Sequence, residues 1–348
     1  MAADRSWRRY LLLADWPTKD RAAWAAATAE GRILDGRGPA AHWASATKRT
    51  NQHHYGRWLA YLKQFLGPLE NCKPEERVTK ELVKGYVEHL RDDLAPRTVV
   101  STLVGLKVMM KAMVPQVDWR WLADSCNALN RSAKPSVDKR SRMLPTGQIY
   151  TAAVTELKRL LTTPLTRRVD RVAYRDTLML AILAARPLRL KNFTAIVIGT
   201  HLVKDERGWS LVIPGEEVKN GQHLDFGLPT SIIPFLEVYL DRVRPSFCPG
   251  PQNMRLWLGF EGQPLDYHSI YCRFQLVTPR LLGVRINPHL LRDCAATSLS
   301  TESPDVVLSA AALLGQRNFA TTEKYYIRAN RLEASRKLNA ILHSIRNR

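Results

Sequence analysis

Residues 195–228 read AIVIGTHLVKDERGWSLVIPGEEVKNGQHLDFGL, and they break the rhythm of the chain on either side. Four β-prone runs, 195–198, 201–204, 209–213 and 224–228, are separated by Gly199, by the turn DERG and by the loop PGEEVKNGQ. Short apolar, β-branched runs punctuated by Gly, Pro and Asn predict a small antiparallel sheet. Upstream, 147–161 (GQIYTAAVTELKRLL) and 170–185 (DRVAYRDTLMLAILAA) have helical spacing, and the second is nearly all apolar in its latter half, which places it at the centre of a core. From Pro264 onward the spacing is helical again. The fold class that follows is mainly α with one small antiparallel β-sheet, an α+β domain.

Toward the N-terminus the helical pattern continues. Tyr55, Trp58, Leu59, Leu62, Phe65 and Leu66 recur at i, i+3, i+4, i+7 and predict a helix that packs in a small bundle. A second helix starts at Thr79 as cap and buries Val83, Tyr86, Val87 and Leu90. A third follows Ala95-Pro96 with Leu103, Leu106 and Met110 inward, and a fourth runs from the region of Trp119 and Trp121 to Leu129. The stretch RSAKPSVDKRSRMLP is polar, basic and proline-containing, as a linker is. The expected organisation is an extension over 1–44, a helical bundle over 45–133, a basic linker over 134–146 and the mixed domain over 147–348. No repeat of 20 to 50 residues is visible, which argues against a solenoid.

The 348 residues carry 52 Lys+Arg against 32 Asp+Glu, a formal net charge of +20, with 45% hydrophobic residues. A folded protein with that balance has a polyanion as its natural partner, and both halves are basic. No apolar run reaches the roughly 18 residues of a spanning helix, and no signal peptide or lipidation motif is visible, so no membrane partner and a cytoplasmic location are expected. Cys72, Cys126, Cys248, Cys272 and Cys294 are widely spaced without a CxxC pair, so neither a disulfide framework nor a metal site is indicated. The adjacent His53 and His54 point in different directions on a helix and read as surface or polyanion-facing residues.

Three helix boundaries in the last third carry the chemistry. Asn287-Pro288 starts a helix with Asn as cap, so His289 and Arg292 share a face near its positive end, where a phosphate is favoured. Ser303-Pro304 starts another, which Gly315 ends, leaving Gln316 just beyond it. Thr321 or Thr322 caps a third that holds Tyr325 and Tyr326, and beyond it Leu338, Ile341, Leu342 and Ile345 form an amphipathic stripe. Singly, each of these is an ordinary helix start or stop; their order and spacing make the signal.

Taken jointly, the chain resembles the tyrosine recombinases of the phage-integrase family. LRLKNFTAI puts Arg189 where the family's first arginine stands, with Asn192 where Glu is usual. Lys219 of EEVKNGQ matches the family's hairpin lysine, and His289-Leu290-Leu291-Arg292 matches its HxLR without a gap. Leu314-Gly315-Gln316 stands for its LGH, and Tyr325 falls nine residues past that histidine's position. The sequence departs from the pattern at Gln316, at Asp293 where a second His is common, and at Tyr326 beside the nucleophile. The resemblance covers about residues 45 to 345 and is specific over 289 to 325.

The resemblance implies a two-domain DNA clamp that cuts and rejoins double-stranded DNA through a 3′-phosphotyrosine, with no cofactor or metal. It implies Tyr325 as nucleophile, Arg189 and Arg292 on the phosphate, Lys219 as general acid, His289 as an aid to proton transfer and Gln316 as a hydrogen-bond donor. It also implies a homotetramer on DNA, or a mixed assembly with sister recombinases. Arg97, Lys107, Lys111, Arg140 and Arg142 are the candidate DNA contacts. Two other readings stay open: a strand-relaxing enzyme like the type IB topoisomerases, and a DNA-binding protein of the same fold without catalysis.

Overall fold

The computed structural model describes residues 10–31, 36–134, 139–206, 208–219, 221–247 and 253–302. The chain splits into two compact units, Met1–Asp138 and Lys139–Arg348. Among the described residues no helix is long and apolar enough to cross a membrane, and no cluster of three His, Cys, Asp or Glu side chains is placed to hold a metal ion.

The first unit is built from α1 (Thr18–Thr28), α2 (Ser45–Leu66), α3 (Lys80–Asp93), α4 (Pro96–Met113) and α5 (Arg120–Ser132). The Thr79 hydroxyl accepts from the Leu82 N–H at the start of α3, and Pro96 opens α4 where a missing N–H costs nothing. Tyr55, Trp58, Leu59 and Leu62 of α2 are fully buried, but Phe65 and Leu66 are 56% and 51% exposed. The apolar stripe therefore outlasts the core it serves. Phe65 leans instead on the rings of Tyr61 and His89 at the unit's surface.

The segment expected to be an extension is part of this core. Trp16, Trp24, Ala27 and Ala40 are buried in one cluster with Tyr55, Trp58 and Leu103. The chain crosses α2 at Gly56, where the Leu11 N–H donates to the Gly56 carbonyl at 2.9 Å and a Cβ on Gly56 would lie 2.2 Å from the Leu11 carbonyl oxygen. Beneath the crossing, the buried Asp20 carboxylate accepts from the Tyr55 hydroxyl at 2.6 Å and pairs with the buried guanidinium of Arg77. That pairing satisfies a charge that could not otherwise leave water. His53 and His54 are both half-buried. His54 packs against Gly105 of α4, Tyr10 lies 4.1 Å from the His53 ring, and burial lowers the pKa of both imidazoles.

The second unit centres on α7 (Arg168–Ala185), buried continuously from Tyr174 to Ala184 and packed on α6 (Thr146–Leu160). The short α8 (Leu190–Ala195) leads into β1 (Leu202–Asp205), β2 (Gly208–Ile213) and β3 (Leu224–Gly227). These strands form an antiparallel sheet in the order β1-β2-β3, with Leu202 opposite Leu211 and Ile213 opposite Leu224, all four buried. Residues 195–198 are not a strand of this sheet. Ala195 closes α8, and the next residues pair outside the hairpin, through Ile198 N–H to Met254 and Leu256 N–H to Ile196. Apolar composition marked that run as extended, but its partner lies more than fifty residues downstream.

The helices α9 (Ile233–Val238), α10 (Tyr267–Leu282) and α11 (Pro288–Glu302) complete the described part. Asp266 caps α10 by accepting from the Ser269 N–H at 2.7 Å, and Gly283 ends it in the left-handed conformation at φ 71°. The buried Asp176 of α7 accepts from Arg175 and from Arg273 of α10, joining the two helices through a paired charge. The architecture is mainly α with a small antiparallel sheet.

Candidate active site

Arg189 stands at the helix start that follows the turn 186–188. α7 ends at Ala185, Leu188 N–H closes onto the Arg186 carbonyl at 2.7 Å, and Arg189 is the extended N-cap residue of α8. Arg186, just upstream, donates from Nε to the Gly227 carbonyl of β3 at 2.9 Å and so fixes the turn against the sheet. The Arg189 guanidinium is half-buried, and burial lowers its pKa.

Arg292 reaches the same turn from α11. Asn287 caps that helix, its side-chain oxygen accepting from the Leu290 N–H at 2.8 Å, and this sets the phase of the residues that follow. Arg292 donates to the Pro187 carbonyl, so the two arginines approach through a turn that lies between them in space and 105 residues away in sequence. Burial first, then the charge of Arg189, pushes the Arg292 pKa down to about 10, and only Asp293 opposes the shift. Two guanidiniums, each half out of water, thus meet at one turn.

Lys219 is exposed on the loop between β2 and β3. The loop is closed by Val218 N–H to the Gly215 carbonyl at 3.1 Å and Gly221 N–H to the Val218 carbonyl at 2.8 Å. A Cβ on Gly215 would lie 2.7 Å from the Gly221 oxygen, so the neck closes only around glycine. His289 is exposed in the first turn of α11. Gln316, Tyr325 and Tyr326, with the stripe from Leu338 to Ile345, lie outside the described residues.

The candidate DNA contacts are mixed in character. Arg97 is exposed and donates to the Asn130 side chain of α5 at 2.7 Å. Lys107 is half-buried near Cys126, whereas Lys111 is exposed. Arg140 falls in the 3-10 turn Arg140–Arg142, where Arg142 has a buried Nε with no hydrogen-bond partner among the described residues.

Four groups at the site were not legible in advance. Arg186 carried a faint signal, an arginine three residues before Arg189. The Pro187 carbonyl carried none, and neither did His201 and Glu217, whose side chains meet at 3.2 Å beside the Lys219 loop, because their partners are distant in sequence.

No family model matches the chain. The tyrosine recombinase XerD of Staphylococcus saprophyticus is 25% identical over 175 residues, covering 49% of this chain and 56% of the relative. The tyrosine recombinase XerC of Pseudomonas syringae is 28% identical over 163 residues, 45% of this chain and 49% of the relative. The chain spans about half the length of the curated relatives it matches. Among solved structures, the XerH site-specific recombinase bound to its difH substrate superposes with a TM-score of 0.55 over 83% of this chain and 78% of that one. The chain shares the XerH fold. At 14% identity that likeness is one of fold, and a second XerH complex, captured after cleavage, gives a TM-score of 0.54.

Proposed function

We propose that this protein is a site-specific DNA recombinase that cuts and rejoins double-stranded DNA through a covalent 3′-phosphotyrosine. The observation that carries the reading is the Arg189–Arg292 pair, two guanidiniums that the fold brings from distant parts of the sequence to one turn, close enough for the charge of Arg189 to lower the pKa of Arg292. A phosphodiester is an anion that resists a nucleophile. Two planar guanidiniums on its non-bridging oxygens stabilise the charge that grows in the transition state, each by about 3 kcal/mol on the scale of one oxyanion donor. The likeness to XerD and XerC and the shared fold of XerH support the same assignment.

In this mechanism the Tyr325 oxygen attacks phosphorus and the bond to the 5′ oxygen breaks. The electron pair leaves on the 5′ oxygen, which takes a proton from Lys219; the phenolic proton passes to solvent with help from His289. Gln316 donates a hydrogen bond to the phosphate. A 5′-hydroxyl from another strand reverses the step, so the phosphodiester energy is kept and no ATP is consumed. Strand exchange then requires an assembly on DNA, a homotetramer or a mixed assembly with sister recombinases, acting in the cytoplasm. Arg97, Lys107, Lys111, Arg140 and Arg142 contribute phosphate contacts whose strength falls with salt.

Mapping the cleavage position on DNA flanking the gene supplies the substrate. A nicked suicide duplex carrying that position, incubated with the protein and denatured, should yield a covalent adduct that Tyr325→Phe abolishes. No adduct would leave a DNA-binding protein of this fold without catalysis. An adduct lost in Tyr326→Phe but kept in Tyr325→Phe moves the nucleophile by one residue. Relaxation of supercoils without strand exchange would identify a topoisomerase.

A further inference from the structure

We propose that Asn192, His201 and Glu217 form a latch that holds the Lys219 loop in register with the Arg189 helix, making Asn192 and His201 positioning residues for the leaving-group proton. The inference rests on the reading of Lys219 as general acid. It concerns how this chain places that lysine, a residue that is exposed and carried on a loop.

The latch grips one residue from two sides. Asn192 lies three residues past Arg189 in α8, is only 4% exposed, and donates from Nδ2 to the main-chain carbonyl of Glu217 at 3.1 Å. His201, 5% exposed, faces the Glu217 side chain, with Nε2 3.2 Å from Oε1. The direction of that second bond is set locally. The Val197 N–H donates to His201 Nδ1 at 3.1 Å, so Nδ1 is the acceptor nitrogen and Nε2 carries the proton given to the carboxylate. The histidine backbone is itself tied to β2, its carbonyl accepting from Val212 N–H at 2.8 Å. Val218, buried, then plugs the loop into the core between the latched Glu217 and Lys219.

The chemistry explains the side chain found at 192. A carbonyl oxygen needs a donor, and an ionised carboxylate has none to give. Where the tyrosine recombinase pattern has Glu, this chain has the amide, and the partner of that amide is a carbonyl two residues from the lysine. α8 begins at the phosphate-facing arginine and ends its reach at the lysine loop. A displacement of about 1 Å in a catalytic group costs roughly 100-fold in rate, so such a brace has a measurable effect.

The test separates placement of an acid from general integrity of the fold. Suicide duplexes are made with the ordinary 5′ oxygen at the mapped position, or with sulfur in its place; a thiolate leaves without needing a proton. Asn192→Asp, isosteric but without the donor, should cut the ordinary duplex roughly 10- to 100-fold more slowly and the sulfur duplex at nearly the parent rate. Glu217→Ala, at a half-exposed side chain that leaves the carbonyl in place, should show the same pattern with a smaller loss. Lys219→Ala, also restored by sulfur, is the positive control, and Arg189→Ala should be restored on neither.

If Lys219→Ala is not restored, the general-acid reading fails and the latch fails with it. If Lys219→Ala is restored while Asn192→Asp and Glu217→Ala cut both duplexes equally slowly, the reading of Lys219 stands and the latch is wrong. Parent rates in both latch variants on the ordinary duplex overturn it as well. Should Asn192→Asp not fold, the restoration pattern of Glu217→Ala decides.

Discussion

Replacing Arg292 with methionine should slow DNA cleavage roughly 100-fold and leave the fold about as stable as before. The magnitude follows from the environment of the guanidinium. Its pKa is pushed well below the ordinary guanidinium value, to about 10, and at about 1.36 kcal/mol per unit the folded chain bears about 3 kcal/mol for carrying that charge. The sign is that of a base whose folded pKa is depressed. Below about pH 10 the group is charged in both states and the full cost is present; it is relieved only as pH rises above about 10. Against this stand the interactions of Arg292, among them the bond to the Pro187 carbonyl, about 1.5–3 kcal/mol for a charged donor. The two nearly cancel, and methionine keeps most of the packing volume. Chemical denaturation of the parent and Arg292→Met proteins should therefore give stabilities within about 1–2 kcal/mol, with the rate of adduct formation falling roughly 100-fold. A loss of more than about 3 kcal/mol on denaturation would refute the reasoning, because Arg292 would then be a structural tie rather than a charge held for a ligand.

Three further outcomes follow from the described structure. Arg77→Met should destabilise the protein by about 3–5 kcal/mol by stranding the buried Asp20, and adding Asp20→Leu should recover much of the loss; additive costs in denaturation curves would show that the pair is not coupled. Because burial lowers the pKa of His53 and His54, the folded chain binds protons less readily than the unfolded one. Their share of stability is complete above about pH 6.5 and is lost as pH falls below it, so Tm should drop between pH 7 and pH 5, and less so in His54→Gln. Asn287→Ala should cost about 1 kcal/mol through the lost cap, and equal thermal curves for variant and parent would show that the cap is not needed to hold α11 in phase.

What could be read in advance was what is encoded locally. The caps at Thr79 and Asn287, the proline opening α4, the apolar run of α7 and the β-prone runs that form β1 to β3 depend on neighbours within a few residues, and each took the form expected. The arginine pair could be named from motif spacing, but not the turn that joins it, since Arg292 and Pro187 meet only after the whole unit folds. Asn192 stood out solely as a departure from a pattern, and only the Glu217 carbonyl opposite gives the amide a purpose. The N-terminal 44 residues misled for a different reason. α1 is alanine-rich with little contrast between its faces, so its sequence reads as a loose appendage although Trp16 and Trp24 are core residues.

The crossing of Leu11 over Gly56 makes the periodic helices and the folding unit different things. A shortened chain begun at Ser45, where the strong helical pattern starts, would keep every helix from α2 onward yet lose the core residues Trp16 and Trp24 and the carboxylate opposite Arg77 and Tyr55. Such a fragment would bury a guanidinium without a counterion and open an aromatic surface to water. Moving this bundle into another chain therefore means carrying across the segment that precedes the pattern as well as the pattern itself.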